Sequence, residues 1–161
     1  MKNLLLILAG LILGGLLVYL LNPLKSSNEY FLEDQSKYGF DETVAQFEAI
    51  VAETEGWKIL HTYDLQKSME KSGYKVLNVK VFSLCNPDYS SKILFSRHER
   101  VISSMMPCRV SIYVKQDGKT YISRMNSYDM SVEMGGLVED VMLDAFNDVE
   151  VIISELIPQK Q

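Results

Sequence analysis

The sequence predicts an α+β fold, a mainly antiparallel sheet covered by helices and preceded by one transmembrane helix. Three observations predict it. Two β runs, Cys108 to Lys115 and Lys119 to Asn126, meet at Asp117-Gly118, a dipeptide favoured in tight hairpin turns, so antiparallel pairing is expected. Strand and helix periodicities are mixed along the chain without a regular βαβ rhythm. The stretch LLLILAGLILGGLLVYLL, from Leu4 to Leu21, carries no charge and is just long enough to span a bilayer.

Residues 1–25 are expected to form the anchor, with Lys2 before the apolar run and Asn22-Pro23-Leu24-Lys25 closing it. A cleaved secretory signal is the competing reading, but such signals have apolar cores of roughly 7–15 residues followed by a small-x-small site. Leu24, Lys25, Ser26 and Ser27 make a poor site, and a lipoprotein signal would need a cysteine just after the run, whereas the first is Cys85. Gly10 and Gly14 form a GxxxG that permits close helix contact or simply reflects ordinary membrane-helix composition. Translocation of the large domain rather than the short tail places that domain on the outer, periplasmic or extracytoplasmic side. The expected localisation is therefore a single-pass bacterial-type membrane protein.

Residues 26–37 read as a polar linker, although Tyr30-Phe31-Leu32 would equally begin a first strand, and residues 38–157 read as the α+β domain. Asp41 is placed to cap a helix bearing Val44, Phe47, Ile50 and Val51 at helical spacing, which Gly56 stops. Trp57 to Tyr63 alternates as a strand does. Asp64 then caps a short helix from Leu65 to Ser72, ended by Gly73. Tyr74 to Leu84 is read as a strand with Leu77, Val79 and Val81 on the side that Cys85 continues. Asn86 is a good N-cap and Pro87 a good first residue for a brief helix to Phe95; Ser96 to Pro107 is read as a loop. After Gly135-Gly136 a helix runs to about Ile157, with Val138, Met142, Ala145, Val149, Ile152 and Leu156 in a heptad-like stripe. Packing of that stripe on the sheet is preferred over packing on a second copy, since helices that cover sheets carry such stripes.

Of 161 residues, 47% are hydrophobic and 23% charged, which suits one globular core and excludes disorder. A net charge of −5 excludes a nucleic-acid partner, whose phosphates demand a dense basic surface. There is no G-x-S-x-G, no phosphate-binding glycine loop and no dinucleotide glycine pattern, and His61 and His98 have no partner at catalytic or metal spacing. A non-enzymatic role is expected, and the sequence leaves any cofactor unknown.

A two-residue turn at Asp117-Gly118 sets opposite Arg109 with Asn126 and Ser111 with Arg124. The core face then carries Cys108, Val110, Ile112, Val114, Tyr121 and Met125. Arg109, Ser111, Tyr113, Ile122, Arg124 and Asn126 share the other face. Two guanidinium forks with a hydroxyl and an amide suit a carboxylate or phosphate; a solvated polar face is the bland alternative. A slip of one residue would exchange the two faces. Cys85 and Cys108, the only thiols, lie at strand ends that could meet in space; an oxidising compartment would then suit a disulfide, and the alternative is two small buried hydrophobes. Met105 and Met106 before Pro107-Cys108 add a third option, a soft-metal site selecting Cu(I).

Leu84-Cys85-Asn86-Pro87, Met105-Met106-Pro107-Cys108-Arg109 and Tyr121-Ile122-Ser123-Arg124-Met125-Asn126, with Gly135-Gly136 before the last helix, together resemble the bacterial and archaeal domain of unknown function 302 family. The resemblance covers about Gly39 to Leu156. It implies a compact α+β homodimer with no assigned activity, and it places Cys85, Asn86, Pro87, Pro107, Cys108 and Arg109 in the family's signature region. The anchor departs from the simplest members. The function expected is thus a membrane-tethered homodimer holding a small anionic or soft ligand near Cys85, Asn86, Cys108, Arg109, Arg124 and Asn126. The alternatives are thiol redox or copper handling through Cys85 and Cys108, and a purely structural interaction domain.

Overall fold

The computed structural model describes residues 30–159, together with Gly14. Apart from Gly14, the expected anchor from Leu4 to Leu21 lies outside the described residues, as do residues 22–29. Among those described, no helix is long and apolar enough to cross a membrane.

Five antiparallel strands form one sheet in the order β1-β5-β4-β3-β2. They are β1 Phe31–Gln35, β2 Lys58–Asp64, β3 Val79–Cys85, β4 Cys108–Val114 and β5 Thr120–Met125. Part of the expected linker is therefore the edge strand β1, the second of the two readings of that stretch. Its alternating exposure, with Phe31, Glu33 and Gln35 outward, is what an edge strand covered on one face requires.

The helices are α1 Phe40–Glu53, α2 Leu65–Lys71, α3 Pro87–Phe95, α4 Ser127–Met134 and α5 Gly136–Ser154, with a 3₁₀ helix at Glu99–Met105. α1 starts at Phe40, with Gly39 in the N-cap position, and Asp41 sits in its first turn instead of capping it. Asp64 does cap α2, accepting from the Lys67 amide at 2.9 Å. β3 is shorter than its apolar run, because Tyr74 to Asn78 are not in strand. α4 and the 3₁₀ turn both lie where the sequence carries only weak periodicity.

α1 and α5 cover one face of the sheet. Val44, Phe47 and Val51 of α1 and Val149, Ile152 and Ile153 of α5 meet Phe82, Leu84, Val110, Ile112 and Ile122 in a single core. The α5 stripe thus packs within its own chain. A second, smaller cluster of Ile93, Val138 and Val141 joins α3 to α5.

The hairpin register corrects the expected one. Val110 stands opposite Arg124 and Ile112 opposite Ile122, one residue away from the pairing of Ser111 with Arg124. The cause is the turn. Lys115 donates its amide to the Lys119 carbonyl, Gly118 to the Lys115 carbonyl, and Gly118 takes φ +74°, so the loop has three residues with glycine in the left-handed position. Every β5 side chain is thereby moved to the opposite face. Ile122 and Arg124 point into the helix-covered side, whereas Tyr121, Ser123 and Met125 share the outer side with Arg109, Ser111 and Tyr113.

Candidate ligand cavity

At one end of the sheet, β3 finishes at Cys85, β4 begins at Cys108, and β5 finishes at Met125. A cavity of about 100 Å³ lies there. Its walls are mostly apolar: Trp57 before β2, Ile93 of α3, Ile102, Met105 and Met106 of the 3₁₀ segment, and Val141, Met142, Ala145, Phe146 and Val149 of α5. Met142, Ala145 and Val149 belong to the apolar stripe of α5, and Val141 and Phe146 stand beside it.

Of the six residues singled out from sequence, Cys85, Asn86, Cys108, Arg109 and Arg124 line this cavity. Asn126 lies beside it at the start of α4, its side-chain amide donating to Asp129 at 2.9 Å. Each has a defined local role. Asn86 is 7% exposed and caps α3, its Oδ1 accepting from the Asp88 amide at 3.0 Å. A Cβ on Gly56, itself at φ +76°, would stand 2.8 Å from the Asn86 Nδ2, so that glycine is required both by conformation and by contact. Cys85 Sγ is 3.1 Å from Ser90 Oγ, and both cysteines are free thiols. Burial, and to a lesser degree the neighbouring Cys85, push the Cys108 thiol up to about 11. At neutral pH Cys108 is therefore a protonated thiol and a poor nucleophile.

The two arginines do not share a sheet face. Arg124, 7% exposed, directs Nε to Glu150 Oε1 at 2.7 Å, its second terminal nitrogen to Glu150 Oε2, and its first to Asp34 Oδ2. Burial works against its charge, but the hydrogen bonds from Glu150 and Asp34 outweigh this and hold its pKa above the ordinary value. Its fork is thus held by carboxylates of β1 and α5. Arg109 is exposed on the outer face, with its guanidinium carbon 6.0 Å from the centre of the Tyr63 ring. Of the two arginines that border the cavity, it is the one that none of the ion pairs among the described residues engages.

Sequence reasoning missed the polar knot behind the cavity. Trp57 Nε1 and Tyr89 OH both donate to Asp148 Oδ2, at 3.0 and 2.9 Å. Burial and the Asp148 hydrogen bond raise the Tyr89 pKa, so its phenol stays a donor. The available signal was an acidic residue directly before Val149 in the apolar stripe of α5, with one tryptophan in the chain to partner it. Among the described residues, no group of three or more His, Cys, Asp or Glu side chains stands close enough to hold a metal ion.

Residues 32–156 match the family described as "Domain of unknown function DUF302". No curated protein matches the chain. Among solved structures, the "uncharacterized conserved protein DUF302 from Bacillus stearothermophilus" superposes with a TM-score of 0.69 at 16% identity, over 79% of this chain and 98% of that one. At that identity the likeness speaks for the fold.

Proposed function

Since the chain belongs to the DUF302 family, whose name assigns no chemistry, we propose from the site itself that the protein is a membrane-tethered, homodimeric binding module for a small, mainly apolar ligand bearing one anionic group. The cavity carries this reading, for it gathers five of the signature-region residues around an apolar space of about 100 Å³ with an exposed cation, Arg109, at its edge. That volume is of the order that admits a benzene-sized molecule. The neutral Cys108 and ion-paired Arg124 argue for binding rather than for catalysis. Tethering rests on the uncharged run from Leu4 to Leu21. Dimerisation rests on the family resemblance and is supported by the outer sheet face, which exposes Phe31, Tyr63 and Met125.

One observation favours a second reading, soft-metal handling. Cys85, Cys108, Met105, Met106 and Met142 all border the same cavity, and thiolate with thioether donors suits Cu(I). Native mass spectrometry of the full chain, released from detergent without reductant or chelator, separates the two. The expected result is a dimer carrying organic mass that disappears in Ala145→Phe, which fills the cavity, and weakens in Arg109→Ala. Excess mass matching one copper per chain, lost with Cys85→Ser, would favour the metal. Bare polypeptide from both wild type and Ala145→Phe, with equal melting temperatures, would sink the binding reading.

A further inference from the structure

We propose that the cavity end of the domain docks on the bilayer through residues 94–101, and that the surface it recognises is one of anionic lipid headgroups. The inference rests on the tethered reading above and adds the orientation of the domain.

Three observations converge on it. The first is direction. Phe31 pairs with Met125, Leu84 with Cys108 and Lys58 with Cys85, so the chain enters β1 at the same end of the sheet that holds the cavity. Nine residues lie between Leu21 and Phe31, which makes ten Cα–Cα steps. Fully extended they span at most roughly 35 Å, about the width of one small domain, so this end stays near the membrane.

The second is exposure. Phe95, at the end of α3, is 89% exposed, Val101 is 75% and Leu94 is 42% exposed. Large apolar side chains left in water on neighbouring turns mark a surface that meets something apolar. The same segment presents its inner side to the cavity through Ile93 and Ile102. A docked surface would therefore lie against the cavity wall.

The third is charge. The protein carries −5 overall, yet from Lys92 to Val101 there are three Lys/Arg side chains against the single carboxylate of Glu99. Glu99 is engaged by the Ser96 hydroxyl. None of the ion pairs among the described residues uses Arg97 or Arg100, and both are exposed. Aromatic and aliphatic side chains flanked by free cations match the chemistry of an anionic interface, which attracts Lys and Arg near its surface.

Hydrogen exchange of the full chain in nanodiscs tests the proposal, with phosphatidylcholine alone compared against phosphatidylcholine mixed with phosphatidylglycerol. The amides of 94–104 are expected to exchange several-fold more slowly in the anionic discs, while the Asp117–Lys119 turn at the far end of the sheet does not change. Phe95→Ser with Val101→Ser should remove the protection. Arg97→Gln with Arg100→Gln should remove its dependence on lipid charge. All four are surface positions, so the fold is expected to survive, and unchanged exchange in the core strands checks it. Equal exchange of 94–104 in both lipids, with the chain still held in the disc, would overturn the docking and leave the anchor standing. A chain that does not stay with either disc would overturn docking and anchor together.

Discussion

Arg124 shows how much one side chain's surroundings decide about its role. Its guanidinium makes charge-assisted bonds to Glu150 and Asp34 while almost wholly buried, which ties β5 to both β1 and α5. Removing one partner of such a cluster leaves charges facing one another without compensation, at a cost of roughly 3 kcal/mol. Arg124→Ala should lower the denaturation midpoint accordingly, with no change in the urea slope; a loss under 1 kcal/mol would contradict the assigned role. Cys108 makes the complementary case. Its pKa is raised from 9.0 to about 11, so the folded state keeps a proton that the unfolded chain has lost. The associated stability is complete below pH 9 and is lost between there and pH 11, in total on the order of 3 kcal/mol. Iodoacetamide at pH 8 should modify Cys108 about 100-fold more slowly in the native protein than in urea, since each unit of pKa removes about nine-tenths of the thiolate. Equal rates would show an accessible, ionised thiol.

Among the elements, the β4–β5 hairpin carries the most consequence per residue. Its strands were legible from alternation alone, and its turn residues from the Asp117-Gly118 pair. The register was not legible, because Asp-Gly serves both a two-residue turn and a three-residue loop with glycine in the left-handed position. Only the loop places Arg124 beside Glu150, and the acidic residues that complete the cluster lie 26 and 90 positions away. Gly118→Ala puts a Cβ on a residue at φ +74°, in otherwise open space, so the cost is conformational, about 1 kcal/mol. Thermal unfolding should report that loss without a change of register, whereas an unshifted transition would mean that the loop relaxes. α2 and α3 were legible for a local reason: Asp64 and Asn86 each accept a backbone amide within three residues. α4 was not, since only Ser131 of its eight residues is buried and no apolar stripe marks it.

For the molecule as a whole, the α+β class and one antiparallel sheet followed from periodicity, while the order of strands did not. β1 sits at the far edge from β2, although the two flank α1 in sequence. That arrangement is set by long-range packing of Phe47 and Val51 beneath the strands. The candidate site was legible as residues and not as a place. Cys85, Asn86, Cys108 and Arg109 were visible as a pattern, but the walls supplied by Met142, Ala145 and Phe146 become walls only once α5 is laid across the sheet end. The docking surface is likewise a property of the assembled molecule, because it depends on which end of the sheet receives the chain.

Trp57 is the only tryptophan in the chain, and it stands in the cavity wall with its indole N–H committed to Asp148. The protein's intrinsic fluorescence under indole excitation therefore originates at the site itself, with no background from elsewhere. Occupancy by an organic molecule will register as a spectral shift as the ring's surroundings change, and a heavy soft metal nearby as quenching. Unlabelled, full-length protein thus carries a built-in optical probe, with which candidate compounds can be titrated one after another.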